Sequence, residues 1–211
     1  MTTKPVIAFD AYGTLLSTSS IASKLASHFG QDKAGSIATL WRRYQLEYTW
    51  RLTSMGQYTP FSDLTRQALL HALAEHDLSL SDTEVRKLME AYDTLSIFPD
   101  VPGCLNTLRE KPDITAVVFS NGTHEMVSNS INKSPDLSPL SSVFTDIVVV
   151  EEVRKFKPAL EVYRHLARKT GVDQGEMGRL WLVSGNPFDI SRVSKGGRQP
   201  LQRAWRKWWG L

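Results

Sequence analysis

Four apolar runs in this chain of 211 residues each end in side chains able to do chemistry. Residues 6–9 stop at Asp10, and the run in VVFSNGT delivers Ser120 and Asn121. A third run is followed by Lys157 in RKFKP, and the fourth, in WLVSGNPFD, delivers Ser184, Asn186 and Asp189. In a parallel sheet the carboxyl ends of the strands share one edge, and ligands bind there. Acids, an ammonium group, amides and hydroxyls converging on that edge make a site. Taken singly, each has a plainer reading. Asp10 would cap a turn, Lys157 would be a solvated loop cation, and Asp189 with Asn186 would cap the helix that follows.

The elements that must hold these groups are legible as an α/β pattern. Residues 6–9, 115–119, 146–150 and 180–183 have the nearly continuous apolar character of strands covered on both faces. Between the first two lies a long stretch with helical spacing only: Ile37, Leu40, Trp41, Tyr44 and Tyr48, then Phe61, Leu64, Ala68 and Ala72. Ser81 and Glu84 fit a capping box that opens a further helix. The pattern predicts a doubly wound core over residues 1–16 and 97–190, an all-helical insert over 17–96, and a separate tail over 191–211. Pro102 and Pro158 each precede a helix, the second over 159–169 with Gly171 to end it. Cys104 is expected to be a small buried residue at a helix start.

Composition narrows the class. Hydrophobic residues make up 41% of the chain, enough for one core with an insertion. A single cysteine excludes an internal disulfide, and no apolar run approaches the ~20 residues of a membrane span. A cytoplasmic protein without nucleic-acid or membrane partners is expected. The net charge of +3 belongs to the tail, where residues 191–211 hold six Lys/Arg and no acid; elsewhere 19 basic residues face 22 acidic ones. His28, His71, His76, His124 and His165 show no metal-ligand spacing. Trp41, Tyr44, Tyr48 and Trp50 are read as the core of the insert or as a subunit interface, which makes a homodimer conceivable.

The five ordered stretches FDAYGTLL, WRRYQLEYTW, SNGT, KFKPALEVY and VSGNPFD resemble the motifs of the haloacid dehalogenase superfamily, and within it the type II 2-haloacid dehalogenases, from Val6 to Ile190. The resemblance implies a Rossmann-like sheet with a helical cap inserted after its first strand. It also implies hydrolysis of short 2-halo acids without metal or organic cofactor. Asp10 would be the nucleophile and Lys157 its counter-ion, while Arg42 and the Asn121 amide would receive the halide. Ser120 and the Ala11 amide would hold the substrate carboxylate, and Asp189 with Asn186 would orient or activate water. Thr14, Tyr163 and Ser184 would give hydrogen-bonded support, and Tyr12, Leu46, Phe61 and Phe188 an apolar wall. In phosphatases of the superfamily a second Asp follows the nucleophile by two places and helps hold magnesium. Here that place is Tyr12, so phosphoryl transfer is disfavoured. A phosphatase with unusual metal binding and a catalytically inactive homologue remain the alternatives.

The chain departs from the family pattern at Arg43, where glutamine is frequent, and at Phe188, where tryptophan is common. After Ile190 the resemblance stops. The tail has no Val/Ile run, so the family's last strand is read as missing, with the strand at 180–183 left unpaired on one side and the fold prone to aggregate. Leu201, Trp205 and Trp208 fit a short basic amphipathic helix. The plainer reading is a C-terminus without selected function.

Overall fold

The computed structural model describes residues 4–191 and 202–205. Its centre is β1 (Val6–Phe9), flanked by β2 (Thr115–Ser120) and β4 (Leu180–Ser184), all parallel. β3 (Phe144–Val149) lies outside β2, and β5 (Gln202–Trp205) lies outside β4, giving the order β3-β2-β1-β4-β5. The chain moves outward from β1 to β3, then returns across β1 to β4. This reversal opens a crevice at the carboxyl end of β1. β2 is buried at every residue but its first, as a doubly covered strand requires.

Between β1 and β2 the chain builds α1 (Ala22–Phe29), α2 (Gln31–Ser54), α3 (Phe61–Ala74) and α4 (Asp82–Ala91), with no strand among them. The helical stripe seen in the sequence faces inward: Ile37, Trp41, Tyr44, Phe61, Leu64, Ala68 and Ala72 are all buried. α4 opens on the Ser81–Glu84 capping box. α5 (Val101–Arg109) carries Pro102 in its first turn. α6 (His124–Lys133) follows β2 directly, its first turn capped by the Thr123 hydroxyl. α7 (Leu160–Lys169) ends before Gly171, which adopts φ +65°. The five-residue α8 (Pro187–Ser191) follows β4.

Two expectations are corrected. Cys104 is exposed, because the inner face of α5 is set by Val101 and Leu105 and a residue one place before Leu105 points away from it. The outer side of β4 is not unpaired: residues 181–184 pair in parallel with Gln202–Trp205. Backbone pairing on an open edge selects that strand, although its side chains lack the usual β-branched character. Trp205 is therefore in a strand and not in an amphipathic helix; Leu201 and Trp208 lie outside the described residues. Smaller differences are at strand ends, where β3 begins at Phe144 and residues 150–153 form a 3-10 turn.

Candidate active site

Asp10 follows β1 immediately, and its N–H donates to the Val183 carbonyl at 3.0 Å, so the strand pairing itself sets its position. The turn beyond it needs Gly13, which adopts φ +91° and lies where a Cβ would stand 3.2 Å from Arg42 Nη2. Gly185, after β4, approaches the same turn so closely that a Cβ would meet the Gly13 carbonyl oxygen at 2.4 Å. Thr14 joins the two loops, donating from its hydroxyl to Asp10 Oδ2 at 2.9 Å and accepting from the Gly185 N–H at 2.9 Å.

The two oxygens of the buried Asp10 carboxylate differ. Oδ2 accepts from Asn186 Nδ2 at 2.7 Å, Thr14 Oγ1 at 2.9 Å and Ser184 Oγ at 3.5 Å. Oδ1 accepts from Lys157 Nζ at 2.7 Å and has no other donor among the described residues. One oxygen is saturated, and the other keeps a lone pair for a further partner. Neither accepts from a helix N–H, so Asp10 is not acting as a cap.

Lys157 is itself buried, and its ammonium divides three ways: Asp10 Oδ1 at 2.7 Å, Asp189 Oδ2 at 3.1 Å and the Phe119 carbonyl at 3.2 Å. Burial opposes its charge, but Asp10 and Asp189 together outweigh it and raise its pKa above the ordinary 10.5. Asp189 is held by Lys157 and by Ser184 Oγ at 2.9 Å, both on Oδ2. Its Oδ1 is buried with no partner among the described residues. Burial pushes the Asp189 carboxyl above its ordinary range, the Lys157 charge opposing the rise and the Asp10 charge adding to it. A carboxylate with an idle oxygen and a raised proton affinity is suited to taking a proton from water.

Asp10, Lys157 and Asp189 line a cavity with Tyr12, Arg42, Leu46, Phe61, Ser120, Asn121, Asn186 and Phe188. Its free volume, about 20 Å³, is room for roughly one water. Arg42 reaches it from α2, donating to the Tyr12 carbonyl at 2.8 Å and to Asn186 Oδ1 at 3.5 Å. Arg43, one residue on, is exposed and lies over the Tyr44 ring. Asn121 accepts on Oδ1 from the Lys157 N–H at 2.9 Å, which commits its oxygen and leaves its NH₂ as the donor end. Ser120 Oγ accepts from the Gly122 N–H at 3.0 Å. Four expected residues do not line the cavity. Thr14 and Ser184 touch Asp10 from behind, and Tyr163 donates to the Asp189 carbonyl at 2.7 Å, fixing α8. Ala11 is buried in the turn, its carbonyl accepting from the N–H groups of Thr14, Leu15 and Leu16.

Tyr12 is a wall and not an acid. Its phenol meets Ser130 Oγ at 3.2 Å, its ring stacks on Phe61 with centroids 6.0 Å apart, and burial pushes its pKa well above the ordinary 10.0. A hard divalent cation wants several anionic oxygens, whereas this site offers a neutral phenol at position 12 and an ammonium group between its two carboxylates. The donors present do not fit such an ion. None of the five histidines lines the cavity.

Sequence reasoning missed the residues that act from behind the wall. The Phe119 carbonyl and ring hold Lys157, and Ser130, Tyr92 and Gln45 continue inward from Tyr12. The close approach of Gly185 to the Gly13 turn is likewise not visible in the sequence; the available signal is that a glycine follows each of two strands, β1 and β4, that pair with one another.

A sequence profile of haloacid dehalogenase-like hydrolases matches residues 4–190. The chain is 36% identical over 190 residues to (S)-2-haloacid dehalogenase 1 of Pseudomonas sp. strain CBS-3, covering 90% of this chain and 79% of that protein. It is 34% identical over 189 residues to (S)-2-haloacid dehalogenase 4A of Burkholderia cepacia, covering 90% and 78%. Among solved structures, the L-2-haloacid dehalogenase of Xanthobacter autotrophicus with covalently bound chloropropionic acid superposes with a TM-score of 0.79 at 28% identity, covering 90% of this chain and 73% of that one.

Proposed function

The chain belongs to the haloacid dehalogenase-like hydrolases, and from that membership we propose that it converts short 2-haloalkanoic acids to 2-hydroxy acids through an ester on Asp10. The observation that carries this reading is the unequal pair of oxygens on Asp10. Oδ2 is held by Asn186, Thr14 and Ser184, while Oδ1, paired among the described residues only with the Lys157 ammonium, borders a cavity that also receives Arg42.

In the first step Oδ1 attacks C2 of the substrate, a C–O bond forms, and the carbon–halogen bond breaks with its electron pair leaving as halide. Configuration at C2 inverts. Arg42 and the Asn121 NH₂ take up the halide, which needs no proton, so the missing acid at Tyr12 is no loss. Ser120 and the Ala11 N–H hold the substrate carboxylate. In the second step water attacks Cγ of Asp10 and gives its proton to Asp189 Oδ1. The Cγ–Oδ1 bond then breaks, and the departing alkoxide takes that proton and leaves as the 2-hydroxy acid. Oδ2, carrying negative charge in the tetrahedral intermediate, is the oxygen on which three donors already converge. Asp10 is left as a carboxylic acid carrying one oxygen from water, and it returns to the carboxylate by losing the second water proton to solvent. The names of the relatives favour the S enantiomer as substrate, and inversion then yields the R hydroxy acid.

Two smaller proposals accompany this one. Residues 17–96 act as the cap over the core. Met55 and Leu70, exposed on that insert, support a homodimer through the cap, to be read by sedimentation. Among the described residues no helix is long and apolar enough to cross a membrane, and a cytoplasmic location is proposed on that footing.

The test is halide release from 2-chloropropionate with and without EDTA. The reading predicts release that chelation leaves unchanged and that Asp10→Asn abolishes; turnover by that variant, or magnesium-dependent cleavage of an aryl phosphate without halide release, contradicts it.

A further inference from the structure

Phe188 and Trp50 meet where the helical insert faces the core. Phe188, in α8, lines the cavity; Trp50, near the end of α2, does not, but stands edge-on to the Phe188 ring with centroids 5.0 Å apart and planes at 81°. Trp50 is 41% exposed, so its placement is not explained by its own burial.

The apolar wall is unequally buried. Tyr12 is fixed by Ser130 and by its stack on Phe61, and Phe61 is buried and packs in turn on Phe156. Phe188 is only half-buried. With room for about one water, the cavity must widen to take a 2-halo acid, and more so as the alkyl group on C2 lengthens; Phe188 is the least buried of the rings of Tyr12, Phe61 and Phe188. The indole of Trp50 packs edge-on against that ring.

Resting on the reading above that the site takes 2-halo acids, we propose that Trp50 is a specificity-determining positioning residue: by holding Phe188 against the cavity it limits the length of alkyl chain carried on C2. Trp50 acts through Phe188 and touches neither nucleophile nor substrate. Discrimination by a methylene-sized change in an apolar pocket is worth about 10–200-fold in kcat/KM, so a single braced ring suffices for a marked chain-length preference.

The experiment compares the wild type, Trp50→Ala and Trp50→Phe with 2-bromopropionate and 2-bromohexanoate, reading the ratio of their kcat/KM values. Trp50→Ala should raise the ratio for the longer acid about tenfold, and Trp50→Phe should return it toward the wild-type value. An unchanged ratio, or equal losses on both acids, overturns the proposal, because a mere clasp between insert and core would affect the two alike. Calorimetric binding of 2-hydroxyhexanoate and 2-hydroxypropanoate reads the same wall without turnover. If no form releases halide, a Kd ratio shifted toward the longer acid by Trp50→Ala sustains the role of Trp50 while the dehalogenase reading fails; an unshifted Kd ratio overturns the role itself.

Discussion

At the scale of single residues the site is one buried ammonium shared by two buried carboxylates. Removing the ammonium leaves two charges without their counter-ion in a low dielectric, which costs about 3–5 kcal/mol for a buried pair. Lys157→Ala should therefore lose that much stability by chemical denaturation at neutral pH as well as its activity. Because the folded-state pKa of Lys157 lies above the ordinary 10.5, its stabilising contribution is complete below that pH and fades as the pH rises through the folded value. A melting-temperature profile should accordingly fall on the alkaline side above pH 10.5, and that limb should vanish in Lys157→Met. Asp189 differs, since burial raises its pKa and its charged form is disfavoured in the folded state. Asp189→Asn should leave the first step able to run and stop the second, so intact-protein mass spectrometry after incubation with 2-chloropropionate should show an ester adduct on Asp10. Asp10, Ser120, Asn121, Ser184, Asn186 and Asp189 were legible as candidates because each lies at a strand end or in the short segment directly after it, whereas Arg42, on α2, was legible only through its motif. Trp50 and Ser130 were not, because their roles come from contacts made between segments distant in sequence.

At the scale of elements Asp10, the proposed nucleophile, is held by the meeting of two loops, after β1 and after β4. Gly185→Ala places a Cβ on the Gly13 carbonyl oxygen, so one loop must move, and activity should fall by far more than the small propensity change implies, with the loss appearing in kcat. A second buried chain ties the insert to the core behind Tyr12: Tyr92 donates to Gln45, Gln45 to Thr65, and Ser130 to the Tyr92 carbonyl while meeting the Tyr12 phenol. Ser130→Ala should cost about 1–3 kcal/mol by leaving the phenol unsatisfied, and Tyr12→Phe in the same chain should restore part of it, a coupling that a double-mutant cycle measures. Strands β1 to β4 and helix α7 could be placed from apolar runs and punctuation, with errors of one or two residues at their ends, whereas α1 and α6 could not. β5 could not, because Gln-Arg-Ala-Trp carries no apolar alternation and its place is set by the open edge of β4, a tertiary demand that outweighs propensity.

For the whole molecule that fifth strand matters more than its four residues suggest. It covers an edge that would otherwise present unpaired N–H and C=O groups to other chains. Ending the chain at Ser191 should lower the melting temperature by about 4–8 °C, as expected for a loss of ~2 kcal/mol in a protein of this size, and should raise light scattering on heating. The central claim concerns covalent chemistry, and isotope tracing tests it most directly. After many turnovers of (S)-2-chloropropionate in H₂¹⁸O, peptide mass spectrometry should find the heavy oxygen in the Asp10 carboxylate, while a single turnover with excess enzyme should give lactate free of label. Unlabelled Asp10, with the label in lactate from the first turnover, would mean that water attacks the substrate directly and that no ester forms.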